Sequence, residues 1–231
     1  MEIKIQEYYL EHKYKLHNLF KFMEEQIEGR ICHSSIIILK ILMELDKDNI
    51  KNYLEIGVHN GGSMSLVLCS DNIENLYGID LFEDVYDESK HFNSEKYEKY
   101  KYFKRDNLSF LKTMNNLNKI QLMFNPKTTI KLIQGNSYFD ETEEKFREEK
   151  RYDLDLLFID GDHTPDGVRN DFERYSKYVR KGGYVIFDDY HHKDIKNYCD
   201  SMLNNNQNWE LLCKFKSDNS KAIDLLIQRS N

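Results

Sequence analysis

Apolar and polar positions along this chain follow two rhythms. Short apolar runs at 52–56, 76–80, 129–133, 155–159 and 184–187 predict strands. Helical spacing fills the intervals at 62–70, 141–149, 166–180 and 193–204. Two further helices are expected ahead of them. One covers about 5–27, with Tyr8, Leu16, Leu19, Phe20 and Met23 as apolar positions, and one covers about 34–46. Behind them, Trp209–Lys214 and Ile223–Gln228 read as strands joined by the turn-rich Ser217-Asp-Asn-Ser220, an antiparallel hairpin. Strand and helix alternating in this way predict one doubly wound α/β domain over 1–231, with N-terminal helices at 1–48.

One interval breaks the rhythm. Residues 82–128 far exceed the dozen or so that a crossover needs, and they carry many charged and aromatic side chains. The excess follows a strand's carboxyl end, so it is expected as a lid over the acceptor site. The competing reading is a solvated helix anchored by its aromatics. No repeat and no Pro/Gly/Ser linker divides the chain, and its two prolines, Pro126 and Pro165, fall at a loop and a helix start.

With 231 residues, the chain can build one sizeable core but not two ordinary domains. The net charge of −7 argues against nucleic acid as a partner. No apolar run reaches a membrane-spanning length, and no secretory leader is visible at the start. Cys32, Cys69, Cys199 and Cys213 are widely spaced and form no C-x-x-C pair. They are expected as reduced thiols in a cytoplasmic protein.

Candidate chemistry gathers where two apolar runs end abruptly in acid. Leu156-Leu-Phe-Ile-Asp160-Gly-Asp-His163 is one, and Gly182-Gly-Tyr-Val-Ile-Phe-Asp188-Asp189 is the other. Buried parallel strands read as continuous apolar runs, and open α/β sheets do their chemistry beyond the carboxyl ends of such strands. Asp160, Asp188 and Asp189 are therefore expected at one crevice with His163 beside them. Three carboxylates repel unless a cation or shared protons offset the charge, which points to a hard divalent metal. Asp188 and Asp189 are neighbours, so both reach one ion only if the chain leaves strand geometry there.

The first strand runs into Glu55-Ile-Gly57-Val-His-Asn-Gly61-Gly62-Ser63. Its glycines permit a tight turn and close approach to a ligand. His59 stands where a dinucleotide fingerprint needs glycine, and no lysine follows to make a phosphate loop. Glu55 favours a cationic group on the ligand. Asp80 ends the next strand, where an acid can accept from both ribose hydroxyls. A nucleoside with a small zwitterionic tail, such as S-adenosylmethionine, fits this set.

Together with Gln134-Gly135-Asn136-Ser137, these segments resemble the class I S-adenosylmethionine-dependent methyltransferases over roughly 50–192. Within that class the resemblance is to metal-dependent sugar O-methyltransferases of the macrocin and mycinamicin type. It implies a Rossmann-like, seven-stranded, mostly parallel sheet. It implies a cofactor site of Glu55, Gly57, Gly61, Gly62, Ser63, Asp80, Gly135, Asn136, Ser137 and Asp160. Asp80 would hold the ribose, and Gly135, Asn136 and Ser137 would lie near the adenine. Asp160, Asp188 and Asp189 would bind Mg²⁺. Relatives differ at the position of His163, so the base is either His163 or a metal-bound carboxylate such as Asp160.

The expected reaction is methyl transfer from S-adenosylmethionine to a hydroxyl of a sugar or glycosylated small molecule. Two alternatives stay open: a catechol-type phenolic acceptor, and a nucleoside-binding domain without catalysis. Asp160 and Asp162 also suit the cap of the helix at Pro165. His191 and His192 read as solvated or supporting groups, and His59 as a turn residue. The N-terminal helices either close the cofactor site or mediate self-association.

Overall fold

The computed structural model describes residues 2–27, 34–82, 110–216 and 222–230. Residues 83–109, the greater part of the expected lid, lie outside the described residues. In chain order the elements are α1 (Glu2–Gln26), α2 (Ser34–Leu45), β1 (Asn52–Ile56), α3 (Gly62–Val67), β2 (Asn75–Asp80) and α4 (Phe110–Phe124). There follow β3 (Thr129–Gln134), α5 (Asp140–Glu149), β4 (Leu154–Ile159), α6 (Pro165–Tyr175), β5 (Val179–Phe187), α7 (Lys193–Asn205), β6 (Trp209–Phe215) and β7 (Asp224–Arg229).

The strands form one seven-stranded sheet in the order β3-β2-β1-β4-β5-β7-β6. All neighbours are parallel except β7, which runs antiparallel to both β5 and β6. The order reverses between β1 and β4, the switch point at which such sheets open a crevice. Both faces are covered, which explains why β1, β2 and β4 read as largely apolar runs. Tyr53, Leu76, Leu156, Phe158 and Ile186 pack under α1 to α4. Leu54, Tyr77, Ile79, Leu157, Ile159 and Phe187 pack with Phe146 of α5, Phe172 of α6 and Ile195 of α7.

Four elements differ from the sequence expectation. The interval expected as a lid contains α4, which buries Thr113, Asn116, Leu117 and Ile120. Its polar side chains brace the glycine turn: Thr113 Oγ1 donates to the His59 carbonyl at 2.9 Å, and Asn116 Nδ2 donates to the Asn60 carbonyl at 3.0 Å. Helix α6 stops at Tyr175, short of 180, and a single 3₁₀ turn, Ser176–Tyr178, leads into a β5 that starts at Val179. The strand is expected at 184–187, but β5 also takes in the residues before it: Gly182 bends within the strand at φ 76 and pairing with β4 continues on both sides. Helix α3 ends at Val67, and its continuation is a turn. No described helix is long and apolar enough to cross a membrane.

Candidate functional site

Register sets the site. Ile56 pairs with Ile79 on one side and Ile159 on the other, and Ile159 pairs with Phe187. The next residue on each strand is Asp80, Gly57, Asp160 and Asp188, which therefore stand in one row across the carboxyl ends of β2, β1, β4 and β5. Backbone hydrogen bonds stitch the row together: Gly57 N to Ile79 O at 2.9 Å, Asp160 N to Ile56 O at 2.9 Å, and Asp188 N to Ile159 O at 3.0 Å.

The glycine turn lies against the β4 end. Gly57 has φ 92, and a side chain there would overlap the Asp160 carbonyl and come within 2.7 Å of Gly161 Cα. Gly61 has φ 82 and starts α3. Asp80 organises this turn: its Oδ2 accepts from His59 N at 2.8 Å and its Oδ1 from Phe82 N at 2.9 Å. Glu55 sits beneath it, wholly buried. Tyr53 donates its hydroxyl to Glu55 at 2.7 Å, and Ser63 of α3 donates to the other oxygen. Burial is the main cause that lifts the Glu55 carboxyl to about 8, against the pull of those two hydroxyls. Its direct contacts therefore support the turn from below.

Gly135, Asn136 and Ser137 follow β3 at the other end of the row. Gly135 N donates to the Asp80 carbonyl at 3.0 Å, Asn136 Oδ1 accepts from Tyr138 N at 2.9 Å, and the Tyr175 hydroxyl donates to Ser137 O at 3.2 Å. Asp171 of α6 is buried near this loop and leaves Oδ2 without a hydrogen-bond partner. Burial lifts its carboxyl to about 7.

The acidic residues divide into two sets. Asp160, His163 and Asp188 offer ligand atoms within 4.8 Å of one another, and so do Asp189, His191 and His192. His163 joins the two sets, with Nδ1 2.9 Å from Asp189 Oδ2 and Nε2 4.0 Å from Asp160 Oδ1. Asp189 has φ 57, a left-handed backbone that is uncommon for a residue with a side chain. This turn takes the chain out of strand geometry at the point where two neighbouring carboxylates must face one region. Burial works against charge on both His163 and Asp189. Their pairing outweighs it, raising the His163 pKa and lowering that of Asp189.

Asp162 stands apart from both sets. It accepts from Thr164 N at 3.1 Å and from the Thr164 hydroxyl at 3.0 Å, while Thr164 caps α6 by accepting from Gly167 N at 3.0 Å. The cap expected of Asp160 or Asp162 thus belongs to Thr164, with Asp162 behind it.

One acidic residue escaped the sequence reading. Asp224, at the start of β7, is 1% exposed. Leu225 pairs with Phe187, so Asp224 falls beside Asp188. Burial and then the Asp188 charge push its carboxyl well above the usual range. Oδ1 of Asp188 and Oδ1 of Asp224 are both buried without a hydrogen-bond partner. An acid opening an apolar strand is common, and only antiparallel pairing brings this one to the row.

A seven-stranded doubly wound sheet with its last strand reversed, and a glycine turn at the switch point, defines the class I methyltransferase architecture. A family model described as "Methyltransferase domain" matches residues 54–190, and the chain belongs to this family. An uncharacterized protein of Acanthamoeba polyphaga mimivirus is 35% identical over 172 residues, 74% of this chain and 65% of that protein. The chain thus spans just under two thirds of that relative's length. Among solved structures, the O-methyltransferase NovP superposes with a TM-score of 0.62 at 18% identity, covering 85% of this chain and 79% of NovP. An O-methyltransferase from Bacillus cereus in complex with SAH gives 0.56 at 13% identity, covering 99% and 92% of the two chains. These two likenesses concern the fold.

Proposed function

We propose that this chain is an S-adenosylmethionine-dependent O-methyltransferase that uses Mg²⁺ and acts on a hydroxyl of a sugar or glycosylated small molecule. The observation that carries this reading is the single row Asp80–Gly57–Asp160–Asp188 at the switch point. It sets a nucleoside-type turn directly beside a pair of carboxylates.

On the cofactor side, Asp80, held by His59 N and Phe82 N at the end of β2, would accept from ribose hydroxyls. Gly57, Gly61 and Gly62 keep the backbone open to close approach, and Ser63 and Glu55 hold the turn in shape. Gly135, Asn136 and Ser137 form the adenine end. S-adenosylmethionine, when bound, supplies a methyl group on a sulfonium. On the acceptor side, the orphaned Oδ1 of buried Asp188, together with Asp160, suits a hard cation that prefers oxygen. Asp189 would complete the set through Oδ1 while its Oδ2 stays on His163. Mg²⁺, when bound, supplies a Lewis acid that makes a hydroxyl easier to deprotonate.

His163 accepts the hydroxyl proton at Nε2. The other ring nitrogen is held by Asp189 at 2.9 Å, which orients the imidazole as carboxylates orient basic histidines elsewhere. The row also excludes water on its sheet side, since every residue beneath it is buried.

Calorimetry with S-adenosylmethionine, with and without Mg²⁺, tests the cofactor site; absence of binding heat ends the enzyme reading. An acceptor screen scored by S-adenosylhomocysteine release tests the sugar assignment, which turnover on catechols alone would replace with the phenolic one.

A further inference from the structure

Beside the proposed Mg²⁺ position, the turn Asp189-Tyr190-His191-His192 builds a second set of donors of different chemistry. Asp189 Oδ1 lies 3.7 Å from His191 Nδ1, and Asp189 Oδ2 lies 3.7 Å from His192 Nε2. Those separations exceed hydrogen-bond reach. They are close to the ~3.4 Å between two donors that each bind one tetrahedral ion at about 2.1 Å. The imidazoles are tilted 43° to each other with centroids 4.3 Å apart, and one nitrogen of each lies within 4.8 Å of the other and of an Asp189 oxygen.

The turn is held from behind. Tyr190 is buried and donates its hydroxyl to Asp200 at 2.6 Å, while His192 N donates to the Asp189 carbonyl at 2.9 Å. His192 occupies the N-cap of α7, yet its side chain makes no cap hydrogen bond. The left-handed backbone at Asp189 turns its carboxylate toward the histidines. Strained backbone of this kind persists where its surroundings over-determine it. All three side chains keep some contact with solvent, which leaves a path for an ion.

From this geometry we infer that Asp189, His191 and His192 form a binding site for a borderline first-row divalent ion such as Zn²⁺ or Co²⁺, separate from the Asp160–Asp188 pair. Two imidazoles and one carboxylate suit such ions, whereas Mg²⁺ prefers oxygen throughout. Three ligands leave further coordination positions open to water or a ligand. The inference does not depend on methyl transfer, although the two sites share Asp189.

The test uses the full chain without a histidine tag, stripped of metal by chelation. Co²⁺ is titrated in the presence of a large excess of Mg²⁺, which occupies the carboxylate pair, and its visible absorption bands report nitrogen ligation. The wild-type chain is expected to take one equivalent. His191→Ala and His192→Ala should each weaken Co²⁺ by ~10-fold or more, by the usual scale of metal-site losses. Asp160→Ala should leave it unchanged. Both histidines are part-exposed, so these substitutions spare the core, and thermal melting confirms it. Co²⁺ binding that survives both histidine changes, or that Asp160→Ala abolishes, overturns the site. S-adenosylmethionine calorimetry on the same variants reports separately on the methyltransferase reading.

Discussion

Replacing Gly57 with alanine should destabilise the protein by far more than the same change at Gly61. Both glycines are left-handed, at φ 92 and φ 82, and a side chain in that region costs ~1–2 kcal/mol. At Gly61 the new methyl meets Leu117 Cδ2 at 3.0 Å and Thr113 Cγ2 at 3.4 Å, side-chain ends that can shift. At Gly57 it overlaps the Asp160 carbonyl and comes 2.7 Å from Gly161 Cα, all backbone. Carbon atoms rest about 3.5–4.0 Å apart, so the end of β4 must move by roughly an ångström or more. Such a shift breaks or stretches the hydrogen bond from Asp160 N to Ile56 O, and with it the one from Gly57 N to Ile79 O. Each buried backbone bond left unmade costs ~1–3 kcal/mol. The total for Gly57→Ala comes to about 3–8 kcal/mol, against about 1–2 kcal/mol for Gly61→Ala. Urea unfolding followed by the fluorescence of the single tryptophan, buried Trp209, measures both. Equal losses in the two variants would refute the packing of the glycine turn against Asp160.

Glu55 imposes a pH dependence of known sign. Its folded carboxyl lies near 8 against about 4.5 when unfolded, so the folded chain holds the extra proton between those values and stability falls as pH rises through them. Glu55→Gln should flatten that fall, by at most ~1.4 kcal/mol per pH unit, in denaturation series from pH 5 to pH 8. An unaltered slope would mean that Glu55 is ionised in the fold. Asp155→Ala acts at the opposite end of β4. It removes the acceptor for Lys51 N at 2.9 Å and Asn52 N at 2.8 Å and leaves Arg180 without its carboxylate, so a loss of ~2–4 kcal/mol is expected with cofactor affinity unchanged. Asp160→Ala and Asp188→Ala should each lose Mg²⁺-dependent turnover and keep S-adenosylmethionine binding; full activity in either removes the metal assignment. His163→Ala should slow turnover by ~100-fold, and an unchanged rate transfers the proton to a carboxylate.

Much of this architecture was legible in the order of residues. Strand β1 starts and stops where the run Asn52–Ile56 does, because a strand covered on both faces is mostly apolar with abrupt boundaries, and its one buried acid, Glu55, is held by Tyr53 and Ser63. The terminal hairpin was equally plain from its two runs and the polar turn between them. Helix α4 was not, because its buried stripe of Thr113, Asn116, Leu117 and Ile120 is half polar, and its polar members serve the glycine turn rather than the core. The ends of α6 and β5 were misplaced because Gly182 bends within a strand as readily as it closes a turn.

Local order thus determined the elements, the reversed last strand and the acids that end β4 and β5, since each follows from burial and spacing within a few residues. Only the tertiary structure decided how those acids group. Pairing register aligned Asp80, Gly57, Asp160 and Asp188, and antiparallel pairing placed Asp224 beside Asp188. The left-handed turn at Asp189 then put one carboxylate among three histidines. These partners lie far apart in sequence or depend on one backbone angle, and no local pattern of apolar and polar residues encodes either.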